Sequence, residues 1–86
     1  MPRVSQFYGI AVYMYYREHP PPHFHAIYGD EEAIIDIQTG QVREGRLPQR
    51  ALSLIQEWLA AHGQELLVNW DLARNAQPLN PIAPLD

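Results

Sequence analysis

Three consecutive prolines at positions 20–22 constrain the fold of this chain more than any other feature. Proline has no backbone N–H and cannot donate to a sheet ladder, so a strand on either side must stop at this run. The segments before and after it, "FYGIAVYMYY" (7–16) and "HFHAIY" (23–28), are rich in aromatic and β-branched residues, which favour strands. The prolines therefore predict a stiff connection between two separate β-strands.

Two further strands follow these segments along the chain. The turn sequence "GDEE" leads into the apolar segment "AIIDI" (33–37), and "QTGQ" then leads into the short segment "VREGRL" (42–47). All predicted strands thus lie within residues 7–47, joined by short turns. Short turns between successive strands are typical of an antiparallel meander.

The spacing of apolar residues becomes helical after this region. It predicts helices at about 48–62 and 64–76, with Gly63 breaking the helical pattern between them. The expected fold is α+β: an antiparallel three- to four-stranded meander sheet followed by two helices packed on one face. At 86 residues, positions 1–86 are expected to form a single domain.

A proline-rich tail, residues 77–86, ends the chain. Its prolines recur with a period of three, which matches the three residues per turn of a polyproline II helix. This period places three apolar side chains on one ridge: Leu79, Ile82 and Leu85. The ridge predicts that the tail either packs on its own domain or docks onto another chain.

Composition excludes several classes of protein. Apolar residues make up 47% of the chain and charged residues 19%, which is typical of a folded globular domain. The absence of cysteine excludes disulfides and thiolate metal sites. The net charge of −4 makes nucleic-acid binding by bulk electrostatics unexpected. Neither a signal peptide nor a membrane-length apolar run is recognisable, so we expect a cytoplasmic protein without membrane contact.

The predicted sheet places the histidines on one face. His23 and His25 are two residues apart on a strand, so both side chains point the same way. The turn positions predict His25 opposite Asp36, and Asp36 opposite Arg43, because residues directly opposite each other share a face. The other face, which includes Phe24, is apolar and is expected to pack against the helices.

This polar row is open to several interpretations. His23, His25 and Asp36 are candidate metal ligands, since two imidazoles and a carboxylate are common ligands of divalent metals. The same three residues with Arg43 are candidate catalytic groups, acting as general acid and base beside an anion-binding guanidinium. They could also form a surface network worth about 1 kcal/mol or less. His19, in the proline turn, could close over the site, and no cofactor is predicted.

Several motifs in the chain are shared with one known family. These are "FYGI", "PPHFHA.YG", "A.IDI", "G.LP.RAL" and "NW.LA". With them, the chain resembles an uncharacterised prokaryotic family catalogued as domain of unknown function 4160, over nearly its whole length. The resemblance implies a component of a small two-gene module, for which a toxin–antitoxin role has been suggested, and hence a protein partner. It implies no activity and no role for any residue.

Two hypotheses for the function follow. The first is a small cytoplasmic protein-interaction module in a toxin–antitoxin-like two-gene system, which pairs with itself or with a second small protein. The second is a small hydrolase or ribonuclease using His23 and His25, or a divalent-metal-binding domain. The first hypothesis is favoured, and whether the protein is an enzyme is left open.

Overall fold

The alternating apolar residues of the first half of the chain build a five-stranded antiparallel sheet in which each strand pairs with the next. A computed structural model describes residues 2–85, so positions 1 and 86 of the predicted domain lie outside the described residues. One helix follows the sheet, which gives the expected α+β class. The elements are β1 (Arg3–Phe7), β2 (Ile10–Tyr13), β3 (His23–Tyr28), β4 (Glu31–Asp36), β5 (Val42–Gly45) and α1 (Gln49–Arg74).

The first predicted strand, 7–16, is wrong because the chain reverses direction inside it. Tyr8 and Gly9 both have positive φ angles, 49° and 79°, and form the two-residue turn of a hairpin between β1 and β2. Positive φ at both central positions suits the right-handed twist of the paired strands. The sheet therefore gains a strand, Arg3–Phe7, that the prediction lacked.

The helical region is a single kinked element, α1, in which two helical segments meet at His62, close to the predicted division between two helices. His62 has non-helical angles, φ −125° and ψ 17°, and the helix continues beyond it to Arg74. The predicted break at Gly63 is therefore displaced by one residue and does not end the helix. The part of the chain that the structure describes contains no helix with the length and hydropathy of a membrane span.

The helix packs on the predicted apolar face of the sheet. Trp58, which is fully buried, has its ring centroid 5.8 Å from that of Phe24 and 5.3 Å from that of Phe7. The side chains of Ile10 and Val12 are fully buried in the same core. The expectation that the Phe24 face meets the helical layer is confirmed. The histidines of β3 alternate with Phe24 and so belong to the other face.

The tail packs on its own domain. The backbone N–H of Ile82 donates to the carbonyl of Val4 (2.8 Å), and the indole N–H of Trp58 donates to the carbonyl of Ala83 (2.9 Å). Ile82 is buried in the core, so the period-three ridge is used within the domain. The first alternative, a tail packed on its own domain, is therefore confirmed for residues 77–85.

Candidate metal centre

The pairing of β3 with β4 differs from the prediction by two residues. A two-residue turn joins the strands and sets His25 opposite Ile34 and His23 opposite Asp36. The predicted pair of His25 with Asp36 is therefore wrong. A shift by two residues leaves every side chain on its predicted face, because the side-chain period of a strand is two. Both histidines accordingly still share one face.

Asp36 and Arg43 do not form the predicted pair. One carboxylate oxygen of Asp36 accepts hydrogen bonds from the backbone N–H groups of Gln38 (2.8 Å) and Thr39 (3.0 Å). That oxygen stabilises the turn after β4. A β-bulge in the pairing of β4 with β5 leaves Arg43 as the extra residue, so it does not oppose Asp36. The structure thus gives Asp36 a role in a turn and not in the histidine cluster.

The carboxylate next to the histidines belongs to Glu18, in the loop before the prolines. Its Oε1 atom lies 2.8 Å from Nε2 of His25 and 3.2 Å from Nε2 of His23. One oxygen of this carboxylate and one nitrogen of each ring lie within 4.8 Å of one another. Both histidines are only 7% exposed, so the interpretation as a solvated surface network is wrong. We call Glu18, His23 and His25 the metal-type cluster.

The other nitrogen of each ring faces an acceptor outside the cluster. Nδ1 of His23 lies 2.9 Å from the carbonyl oxygen of Pro21. Nδ1 of His25 lies 3.1 Å from a carboxylate oxygen of Glu32, on β4. Each imidazole therefore presents Nε2 to Glu18 and Nδ1 to an outer acceptor.

These contacts cannot all be hydrogen bonds when both rings are neutral. A neutral imidazole has one N–H and one lone pair, and carbonyls and carboxylates only accept. Nδ1 of His23 must carry its proton to reach Pro21, which leaves a lone pair facing Glu18. His25 faces carboxylates with both nitrogens and can donate to only one of them. A metal ion at the two Nε2 atoms would let both Nδ1–H groups donate to their outer acceptors.

Aromatic rings hold the two imidazoles in place. The ring of Tyr15 meets His25 edge-on with centroids 4.5 Å apart, and the ring of Trp70 lies 5.1 Å from that of His23. Burial, followed by the negative charge of Glu32, raises the pKa of the Tyr15 phenol above 10.0. The phenol is therefore neutral at physiological pH. Packed rings restrict how far the histidines can turn away from Glu18.

A cavity opens beside the metal-type cluster. It has a volume of about 230 Å³, and its lining includes Glu18, His23 and Arg43. His19 is exposed and also lines this cavity, but it does not belong to the cluster found within residues 2–85. Two of the three cluster residues are thus reachable from solvent despite the burial of the rings. Arg43, predicted beside Asp36, lies here instead.

Sequence reasoning found the two histidines and missed the carboxylate. Glu18 lies in an irregular loop, where no periodicity indicates the direction of a side chain. The only signal in the sequence is proximity: Glu18 precedes His25 by seven residues, on the far side of the prolines. If the chain folds back at the prolines, Glu18 is brought towards the strand that carries His25.

The fold and the cluster define the class: a small α+β domain with two histidines and a glutamate gathered on the face of an antiparallel sheet opposite Phe24. The chain belongs to the family described as Domain of unknown function (DUF4160), whose model matches residues 9–71. The resemblance stated from the sequence motifs is thereby confirmed. The matched range contains the whole metal-type cluster. No curated protein and no solved structure matches the chain.

Proposed function

We propose that this domain binds one divalent transition-metal ion through Glu18, His23 and His25. Two imidazole nitrogens and one carboxylate oxygen are a ligand set that suits Zn²⁺ and Fe²⁺. In tetrahedral coordination, bonds of about 2.0 Å place neighbouring ligand atoms about 3.3 Å apart. The distances of 2.8 and 3.2 Å from Oε1 of Glu18 to the two Nε2 atoms are close to that spacing.

The observation that carries the proposal is the placement of the two Nδ1 atoms. Histidines that bind metals nearly always donate their other ring N–H to a carbonyl or a carboxylate, which fixes the tautomer. Here Nδ1 of His23 faces the carbonyl of Pro21, and Nδ1 of His25 faces Glu32. A metal ion at the Nε2 atoms would take their lone pairs and leave both protons on Nδ1. All four ring nitrogens would then have a partner of the right kind.

The proposed site has the number of protein ligands that is usual in catalytic metal sites. Three protein ligands leave one position of a tetrahedral ion free for water or substrate, as in catalytic zinc sites. The cavity beside the cluster is lined by two of the three proposed ligands, Glu18 and His23. A metal ion in such a position acidifies bound water and polarises carbonyl or phosphoryl oxygens.

The metal-independent hydrolase or ribonuclease is less well supported. A general base needs a free lone pair directed at the substrate proton. All four nitrogens of His23 and His25 already face protein acceptors, at 2.8–3.2 Å. No ring nitrogen is left for a substrate unless the cluster rearranges.

Three properties stay predictions: membership of a toxin–antitoxin-like module, binding to a second small protein, and a cytoplasmic location. The proline-rich tail no longer supports a docking role, because Ile82 is buried against its own domain. The outer edge of β5 has no partner strand within residues 2–85 and could pair with another chain. Its four residues and its bulge make it a short, irregular edge of the kind that resists such pairing.

The proposal is tested by titrating Zn²⁺ into protein purified without a histidine tag and following the heat of binding. We expect one site per chain, which is lost in the double variant His23→Gln/His25→Gln. The matched control is His62→Gln, because His62 lies on α1 and pairs with Glu65 outside the cluster. Circular dichroism verifies that each variant is folded. Undiminished binding by the folded double variant, or no stoichiometric binding by the wild type, would contradict the proposal.

A further inference from the structure

Three arginines lie around the loop that carries Glu18. Neither an ion pair nor a side-chain hydrogen bond is formed by Arg17, Arg43 or Arg74 within the described residues. By contrast, Arg46 pairs with Glu31, and Arg3 donates to Gln6. The chain has only six arginines and no lysine, so half of its fixed positive charge is gathered here.

These arginines line two cavities that share one wall. The cavity beside the metal-type cluster contains Arg43. A second cavity, also of about 230 Å³, contains Arg17 and Arg74. Glu18, His19 and Pro20 line both cavities. The guanidinium groups therefore stand on both sides of the loop that supplies the carboxylate ligand.

A backbone contact fixes the arrangement of the second cavity. The N–H of Arg17 donates to the carbonyl of Ala73 (3.4 Å), which holds the loop against the end of α1. Arg74 is the last residue of that helix. Two positive side chains from distant parts of the sequence are thus kept together in a protein of net charge −4. Such local concentration of positive charge attracts anions.

We infer that the site takes a small oxyanion group, a phosphate or a carboxylate, as its ligand or as the reacting part of its substrate. This inference rests on the proposed metal site. One oxygen of the anion occupies the open metal position, and the guanidinium of Arg43 binds the remaining oxygens from the cavity wall. The forked N–H groups of arginine match both phosphate and carboxylate oxygens. Arg17 and Arg74, which line the second cavity, add to the electrostatic attraction of the anion.

Glu44 is the residue in the lining that opposes this assignment. The carboxylate of Glu18 is directed at the metal and is neutralised by it. With a divalent ion bound, Arg43 and the ion together carry more positive charge than Glu18 and Glu44 carry negative charge. Glu32, which faces Nδ1 of His25, is a third carboxylate, so the ion and Arg43 together balance the nearby negative charge, and the anion is held by direct contact with both.

The test uses Co²⁺ in place of the native ion, because its visible absorption changes when a ligand enters the coordination sphere. Inorganic phosphate and acetate are titrated separately into the Co²⁺-loaded wild-type protein. We expect a saturable spectral change with at least one of them. Tighter binding of phosphate identifies a phosphate ligand, and tighter binding of acetate identifies a carboxylate.

Arg43→Gln is expected to raise the apparent Kd of the preferred anion by about tenfold to a hundredfold, the range for a lost charge-assisted contact. The matched control is Arg50→Gln, because Arg50 is exposed and lines a different cavity. Its Kd should equal that of the wild type. Protein that binds Co²⁺ but shows no spectral change with either anion overturns the inference alone, as does an unchanged Kd in Arg43→Gln. Failure to bind Co²⁺ overturns the proposed function as well.

Discussion

The Nε2 atom of His25 lies 2.8 Å from Oε1 of Glu18, although the two residues are on opposite sides of three consecutive prolines. The loop from residues 17 to 22 folds back over the polar face of the sheet and carries the carboxylate there. The prolines have no backbone N–H and cannot donate to a ladder, although the carbonyl of Pro22 accepts from the N–H of Ile37 (3.0 Å). The loop that contains the prolines, directly before β3, thus carries the third cluster residue to the histidines.

Glu18 and Glu32 should have different effects on metal binding, because one faces Nε2 and the other faces Nδ1. Glu18→Gln removes a ligand and is expected to weaken Zn²⁺ binding by more than about a hundredfold. Glu32→Gln removes an outer hydrogen-bond acceptor, for which losses of about tenfold to a hundredfold are usual. Calorimetric titration of both variants measures the two effects. Equal losses, or a larger loss for Glu32→Gln, would contradict the assignment of the ligand.

Tyr15 should make the stability of the domain sensitive to alkaline pH. Burial and the nearby charge of Glu32 raise its pKa above 10.0 in the folded state, so the fold favours the neutral phenol. This contribution is fully present below pH 10 and is lost as the pH rises through the folded pKa. We expect the free energy of unfolding to fall more steeply above pH 10 in the wild type than in Tyr15→Phe. Urea denaturation at several pH values measures this, and identical pH dependence would contradict it.

Asn69 should be essential for holding the tail. Its side chain is fully buried, donates to the backbone carbonyl of Asn80 and accepts from the backbone N–H of the same residue, both at 2.9 Å. Asn69→Ala removes both bonds and leaves buried groups without partners, which should cost about 2–4 kcal/mol. Asn80→Ala keeps the backbone groups and should change stability by less than about 0.5 kcal/mol. Similar losses in the two variants, measured by urea denaturation, would rule out this role.

Gly45 should not tolerate a side chain. Its φ angle is 76°, and a Cβ atom would lie 2.1 Å from the carbonyl oxygen of Glu32 on the neighbouring strand. Gly45→Ala should destabilise the domain by at least about 2 kcal/mol, from the left-handed conformation and the clash together. Gly63→Ala is the control, because Gly63 lies in α1 with nothing within 4 Å of the added atom, and it should be neutral or stabilising. Thermal unfolding of both variants tests this, and a neutral Gly45→Ala would contradict the packing of β4 and β5.

The parts of the fold that sequence could predict are those governed by periodicity. The bounds of β3 and the burial of Phe24 follow from alternation, and an error of two residues in the register did not disturb either. The helical spacing around Trp58 likewise placed the helix on the correct face. The turn at Tyr8 and Gly9 was missed, because a tyrosine at positive φ lacks the usual sequence signature of a hairpin turn.

Which carboxylate joins the two histidines could not be predicted from sequence periodicity, because turns and loops have none. Asp36 was expected in the cluster from a register that assumed a longer turn, and its oxygen instead accepts from the turn after β4. Glu18 lies in a loop, where the direction of a side chain depends on tertiary contacts, here with the two histidines. The sequence therefore identified His23 and His25, while the carboxylate could be assigned only from the folded chain.

The most direct test of the metal site is anomalous diffraction from crystals of the protein grown with Zn²⁺, recorded on both sides of the zinc absorption edge. We expect one strong anomalous peak per chain, about 2.0–2.2 Å from Nε2 of His23, Nε2 of His25 and a carboxylate oxygen of Glu18. The Nδ1 atoms should keep their contacts with Pro21 and Glu32. The account is contradicted if crystals bind zinc elsewhere and show no peak at the cluster. It is also contradicted if the imidazole rings are turned so that Nδ1 faces Glu18.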